Sequence, residues 1–209
     1  NKNCLIFAAD PSYMSTVKPS IPKGTRDFSP VVLSKRNYLK SQLTAAFESF
    51  GFQPIETPSF ERSETLLGKY GEEGDRLIFK ILNSGDKVKK ADLQALKKGD
   101  LGKFSDSLSQ KALRYDLTVP FARYVAQYQN DIAFPFRRYQ MQTVWRADRP
   151  QHGRFQEFLQ CDADVVGERS LWHEVEGVLL YDRVFSKLNL KRVQIHLNHR
   201  KILAGIAQC

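Results

Sequence analysis

Three stretches of the chain alternate apolar and polar residues with a period of two, the repeat that sends successive side chains to opposite faces of a β-strand. Over 113–118 the odd positions are Leu113, Tyr115 and Leu117, and the even ones Arg114, Asp116 and Thr118. Over 139–146 the odd set is Tyr139, Met141, Thr143 and Trp145, against Gln140, Gln142, Val144 and Arg146. Over 156–165 Glu157, Leu159, Cys161, Ala163 and Val165 share the odd side, and Gln156, Phe158, Gln160, Asp162 and Asp164 the even side. Each strand thus has one face for a core and one polar face. Two readings of the polar face stay open. An antiparallel sheet commonly turns one face to water; yet water-facing strands favour Lys, Glu and Thr, whereas Gln, Asp and Arg are short or fork-shaped groups suited to fixed hydrogen bonds.

The rest of the pattern supplies the frame. Ser29 offers an N-cap and Pro30 a first helical position, and Val32, Leu39, Leu43, Ala46, Phe47 and Phe50 follow as a stripe that Gly51 ends, which predicts a helix over 31–50. "FQPIETP" reads as a strand ending at Pro58, with Pro54 at an edge or interface. A helical piece over 61–69 and a strand over 76–82 come next. The polar, lysine-rich stretch 83–111 reads as an inserted loop with one short helix and solvated lysines. A strand over 112–119, a helix opened by Pro120, the two strands of the 136–165 region, a helix over 169–188 and a strand from 192 complete the chain. Short strands joined by a hairpin and interleaved with helices imply an α+β fold on a mainly antiparallel sheet flanked by helices. "KPSIPKGTRDFSP" is an extended lead-in, and residues 1–18 read as a flexible tail.

Composition adds little to this and excludes some classes. With 209 residues and 42% hydrophobic content the chain can bury a core. A formal charge of +9 fits a polyanionic partner or a solvated basic surface. Cys4, Cys161 and Cys209 follow no metal or disulfide spacing. No apolar run approaches the roughly 20 residues of a membrane span, and the chain reads as cytoplasmic. His152, His173, His196 and His199 read as solvated or structural, and Trp145 and Trp172 as core or interface anchors.

Candidate chemistry concentrates on the polar strand faces. A floor of carboxylates and amides can hold an ammonium group, and a guanidinium among them a phosphate. In "RADRPQHGR" seven residues separate Arg146 from Arg154, so a hairpin between them would let both point at one anion.

At these residues the chain resembles the histidyl-tRNA synthetases, class II aminoacyl-tRNA synthetases. "GFQPIETPSFE" is similar to the class's first motif, with Pro58 as its proline, and "TVWRADRPQHGRFQEFLQCDADVVG" to the second, with Arg146 in place of the class arginine. "PKGTRDFSP" and "LRYDLTVPFARYVA" resemble the histidyl enzymes specifically, and the likeness runs over residues 19–209. It implies that Asp116, Leu117 and Thr118, joined by Gln160 and Asp164, line a pocket for L-histidine, with Asp116 and Asp164 on the α-ammonium group. It implies that Arg146 bridges the histidine carboxylate and the α-phosphate of ATP, and that Asp148 and Arg154 lie on ATP. Asp148 stands where the class commonly has Glu, so its role is the least secure of these. Further implied are Mg²⁺ with the nucleotide, tRNA(His) as acceptor, no protein-held metal, and a homodimer through the first motif.

The resemblance stops short of the family's later segments. No "RGLDYY"-like stretch, third motif or anticodon-binding domain follows, so the chain reads as the N-terminal part of a catalytic domain, weak or inactive alone. The alternative is a non-catalytic relative, the synthetase-like regulatory subunit of ATP phosphoribosyltransferase; the joint presence of Asp116, Thr118, Arg146, Gln160 and Asp164 argues against it.

Overall fold

The Ser29 hydroxyl accepts from the Val32 amide and Pro30 occupies a position that needs no helical N–H, so the first helix, α1, runs Pro30–Ser49. This is seen in a computed structural model that describes residues 19–208; the expected tail 1–18 lies outside the described residues. Gly51, at φ +77°, takes the left-handed conformation that closes the helix. Ala46 and Phe47 are buried, but Val32 and Leu39 are each 43% exposed. The apolar stripe is therefore core only over its C-terminal half.

In chain order there follow β1 (Gln53–Pro54), β2 (Phe60–Arg62), α2 (Ser63–Leu66), α3 (Gly71–Asp75) and β3 (Lys80–Ile81). A 3-10 turn at Gly85–Lys90, α4 (Leu93–Lys97) and α5 (Leu101–Leu108) lead to β4 (Lys111–Leu113). The second half holds α6 (Thr118–Tyr128), β5 (Phe136–Trp145), β6 (Glu157–Val166), α7 (Trp172–Lys187) and α8 (Arg200–Gln208). One sheet has the order β1-β5-β6, with β1 parallel and β6 antiparallel to β5; the other is antiparallel in the order β2-β4-β3. Pro54 sits on an edge strand, where its missing N–H leaves no ladder bond unmade.

Several expected elements are shorter or different. The 83–111 stretch contains two short α-helices where one was expected: α4 falls in "ADLQALKK", and α5 is added because Asp100 caps it as Asp92 caps α4, the two carboxylates accepting from the Lys103 and Ala95 amides. The strand expected over 76–82 keeps only two residues. The strand expected over 112–119 ends at Leu113: Asp116 Oδ1 accepts from the Val119 amide at 3.2 Å and turns the chain into α6, whose first turn accommodates Pro120. The strand expected from 192 is absent among the described residues. Its residues are exposed and no neighbouring strand offers them a ladder. Trp172 is 65% exposed and is not a core anchor.

The odd positions of the β5–β6 hairpin do form the core face. Tyr139, Met141, Ala163 and Val165 pack against Ala46, Phe47, Phe52, Leu180 and Val184, so α1 and α7 cover this side. Phe47 stacks on Tyr139 with centroids 5.1 Å apart. The lead-in segment docks on the base of the same hairpin. Gly24 O accepts from the amides of Gln156 and Glu157 at 2.8 and 3.3 Å, and Arg26 lies 3.5 Å from the centre of the Phe155 ring. Only glycine fits at 24: φ is +83°, and a Cβ would stand 2.8 Å from Gln156 Cγ. Among the described residues no helix is long and apolar enough to cross a membrane.

Candidate active site

The polar even positions of the hairpin are buried at Arg138 and Gln140 and partly buried at Gln142, Gln160, Asp162 and Asp164. Its register sets Arg138 opposite Asp164, Gln140 opposite Asp162 and Gln142 opposite Gln160, all on one face. Arg138 is 0% and Gln140 1% exposed, which removes the reading of this face as a solvated one. The chain after β4 covers it: Leu117 O accepts from Arg138 Nη2 at 3.4 Å, and the Arg138 guanidinium lies 4.3 Å from the centre of the Phe121 ring. Arg138 Nη2 also pairs with Asp164 Oδ2 at 2.6 Å. Gln160 Nε2 donates to both Asp162 oxygens at 3.0 and 2.8 Å.

Buried polar atoms in folded proteins almost always find hydrogen-bond partners. Among the described residues six buried side-chain atoms do not, and five of them belong to this face: Arg138 Nε and Nη1, Gln140 Oε1, Gln160 Oε1 and Asp164 Oδ2. The last is close to Arg138 but out of line for a hydrogen bond, so its contact is an ion pair only. Burial raises the Asp162 carboxyl above its ordinary value against the pull of Gln160 and Arg138, and the charges of Asp164 and Asp116 push it further. Burial likewise lowers Arg138, while Asp164, Asp162 and Asp116 hold it up. Three carboxylates thus surround one guanidinium, an arrangement that favours a further cation.

Asp116 and Arg146 stand beside this floor. Asp116 Oδ1 accepts from Tyr70 Oη at 2.7 Å as well as from the Val119 amide. Burial, then the bond to Asp116, pushes the Tyr70 hydroxyl far above its ordinary range, so it stays a donor. Arg146 Nε donates to Tyr115 O at 3.1 Å, and its guanidinium lies 4.3 Å from the Tyr115 ring centre and 5.3 Å from that of Phe158. Among the described residues that is the only hydrogen bond its side chain makes, which leaves both Nη groups for an anion. Thr118 is exposed at the start of α6, whereas the Leu117 side chain is fully buried and faces the core. Asp148 is 8% exposed and holds Arg154 Nη2 at 3.0 Å. Arg154 is thus engaged by Asp148 rather than aimed with Arg146 at a common point. The alternation pattern places Arg114 and Asp162 on the polar faces without giving either a role, and it does not reach Tyr70 or Arg138, although the even parity of 138 was a usable signal.

Comparison with known proteins bears on this arrangement. Residues 24–90 and 88–209 match the family described as Histidyl-tRNA synthetase. The chain belongs to that family. A histidine–tRNA ligase of Christiangramia forsetii is 69% identical over 191 residues, covering 91% of this chain and 42% of that protein. The histidyl-tRNA synthetase of Nostoc sp. PCC 7120 superposes with a TM-score of 0.71 at 34% identity, covering 90% of this chain and 39% of that one. A Bacillus halodurans structure described as an ATP phosphoribosyltransferase regulatory subunit/histidyl-tRNA synthetase superposes with a TM-score of 0.65 at 26% identity, over 84% of this chain and 40% of that one. The chain therefore spans less than half the length of these relatives.

Between α1, β6 and α7 opens a cavity of about 520 Å³, mostly apolar at Leu43, Phe47, Leu180 and Val184, with Cys161, Asp164, His173 and Glu174 also on its wall. At its rim His173 is clamped, with Nε2 2.9 Å from Glu168 and Nδ1 3.1 Å from Glu176, which also accepts from Arg137 Nη2 at 2.8 Å. The bonds to Glu176 and then Glu168 raise His173 above its ordinary 6.5, and those from Arg137 and then His173 hold Glu176 below 4.5. A raised histidine contributes stability that is complete below its unfolded value and is lost as pH rises through the folded one; the depressed Glu176 contributes above its unfolded value and fades in acid. Both contributions are present between those ordinary values. Thermal unfolding followed from pH about 6 to about 9 should therefore show a decline that His173→Gln flattens; an unchanged slope in the variant would remove this account.

Proposed function

We propose that residues 19–209 form the first part of the catalytic domain of a histidine–tRNA ligase and hold its L-histidine site and the α-phosphate side of its ATP site. The observation that supports this most is the set of unpartnered buried atoms on the Arg138–Asp164 floor, next to a guanidinium with two free Nη groups. Asp116 and Asp164, with Asp162 adding charge, hold the α-ammonium group of histidine. Gln160 Oε1 supplies an acceptor nearby, Thr118 lines the entrance, and Leu117 contributes through its backbone. Arg146 spans the histidine carboxylate and the α-phosphate with its fork.

Activation is an in-line attack of the histidine carboxylate oxygen on the α-phosphorus, with pyrophosphate leaving; a terminal hydroxyl of tRNA(His) then attacks the carbonyl of the adenylate, forming the ester as the mixed-anhydride bond breaks and AMP leaves. No enzyme nucleophile is required, so positioning and charge neutralisation dominate. Asp148 and Arg154 lie on the ATP side, where the buried Asp148 holds the half-exposed Arg154 at the edge of the site. Magnesium would enter with ATP as the counter-ion of its phosphates. The exposed N-terminal half of α1, with Val31, Leu33 and Tyr38, suits a homodimer contact, and the ligase works in the cytoplasm.

The regulatory-subunit reading draws support from the Bacillus halodurans likeness. It has no use for Arg146. Calorimetric titration of this chain with L-histidine, and then with a non-hydrolysable histidyl-adenylate analogue, separates the two. Binding of the analogue that is lost in Asp164→Ala is the expected result; a folded chain that binds neither ligand would overturn the proposal.

A further inference from the structure

Arg114 is almost as buried as Arg138, at 2% exposure, yet none of its hydrogen-bond partners is a carboxylate. Nε donates to Thr143 O at 2.8 Å, and Nη1 to Thr57 O at 2.6 Å, Pro58 O at 3.1 Å and Gln142 Oε1 at 3.1 Å. Burial lowers its basicity, with Glu56 and Glu61 only partly compensating. A cation kept in such a place without a bonded counter-charge is there for direction: a rigid fork of five donors can fix several carbonyls at once, which an apolar residue cannot.

What the fork fixes is the joint between the two sheets. β4 ends one residue before Arg114 and belongs to one sheet; Gln142, Thr143 and Trp145 belong to β5 of the other. The backbone of Arg114 repeats the link, its N–H donating to Ser59 O and its carbonyl accepting from the Trp145 amide, both at 3.1 Å. Gln142 Oε1 also accepts from the Thr57 amide at 3.0 Å, and Gln140 Nε2 donates to Thr57 Oγ1 at 2.8 Å. From this joint the two halves of the site emerge side by side. One strand of chain continues to Tyr115 and Asp116, the other from Trp145 to Arg146, and Arg146 Nε meets Tyr115 O.

We propose that Arg114 is the positioning residue that sets the distance between the amino-acid half of the site, at Asp116, and the phosphate half, at Arg146, without touching substrate itself. This rests on the ligase reading above. Joining two reactants on one site depends on that distance, and a misplacement of about 1 Å can cost about 100-fold in rate. Binding either reactant alone does not depend on it.

The test compares wild type with Arg114→Lys, which keeps the charge and loses the fork. Affinities for L-histidine alone and ATP alone should stay within about 3-fold, while that for the joined, non-hydrolysable histidyl-adenylate analogue should fall at least about 30-fold. Independently of any ligand, hydrogen exchange at the Trp145 amide should quicken at least about tenfold while the Gln140 and Asp162 amides, which face each other across the hairpin ladder, keep their protection. Gln142→Leu, which removes one acceptor and leaves the 114–118 loop intact, should reproduce the same pattern in weaker form and serves if the lysine variant does not fold. Equal losses for all three ligands, an unchanged analogue affinity, or an unchanged Trp145 amide would each overturn the positioning role. A wild-type chain that binds no ligand would instead sink the ligase reading, and the exchange result would still decide whether Arg114 sets the joint.

Discussion

Replacing Arg146 with alanine is expected to slow histidyl-adenylate formation at least about 100-fold, the scale seen when one preorganised charge donor is removed from a reacting anion. The fold should survive the change. The side chain makes one hydrogen bond, to Tyr115 O, and rests near two aromatic rings, so little of the core depends on it. What disappears is the fork proposed to span carboxylate and phosphate together. Arg146→Lys should recover a fraction of the activity, because an ammonium supplies the charge but cannot bind two groups side by side. The measurement is histidine-dependent exchange of pyrophosphate into ATP, made in a full-length ligase carrying this segment. Near-normal exchange in the alanine variant would remove Arg146 from the chemistry.

Arg138→Ala should act on stability instead, and strongly. The guanidinium is fully buried, and removing one partner of a buried ion pair costs about 3 kcal/mol or more. The low end of that range applies because the Asp164 side chain is 37% exposed and can recover some hydration. Against a typical total of about 5–15 kcal/mol the loss is large. Its pH dependence identifies the cause. Without Arg138, Asp162 keeps its burial and the charges of Asp164 and Asp116 but loses an opposing cation, so its carboxyl rises further. A raised carboxyl penalises the folded state at high pH and ceases to do so once protonated, so the deficit should shrink between pH about 7.5 and about 4.5. Urea melts of both forms at the two pH values would reveal this. A deficit that does not change with pH would mean that lost packing on Phe121, not uncompensated charge, accounts for it.

The parts of the molecule that could be read in advance are those where a local rule and the tertiary environment agree. Ser29, Pro30 and Gly51 mark the ends of α1 by cap chemistry alone, and the alternation over 139–165 matches the observed ten-residue strands β5 and β6. Elsewhere tertiary or capping demands won. Asp116 belongs by alternation to a strand, but its carboxylate caps α6, which no period-two pattern encodes. Asp100, in the part of the 83–111 stretch with no helical period, caps α5 in the same way. Asp116, Arg146, Gln160 and Asp164 lie among the polar even positions, but only the family resemblance selects them from the others there. Arg138 shares that parity, yet an arginine at 0% exposure is an improbable choice for any scheme that assigns charge to the surface. The burial of Leu117 and the Asp148–Arg154 pair depend on contacts between segments far apart or folded back, which one-dimensional spacing does not specify.

The buried polar face of the β5–β6 hairpin also changes how this segment can drift. On the odd face, where Met141, Ala163 and Val165 meet aliphatic and aromatic neighbours, exchanges that keep volume are absorbed by repacking. On the even face volume is not the constraint. Gln140→Glu or Asp162→Asn would keep size and shape almost unchanged yet alter the balance between three carboxylates and one guanidinium. Mutational tolerance along these two strands should therefore alternate residue by residue, with the substitutions that look most conservative being the least neutral.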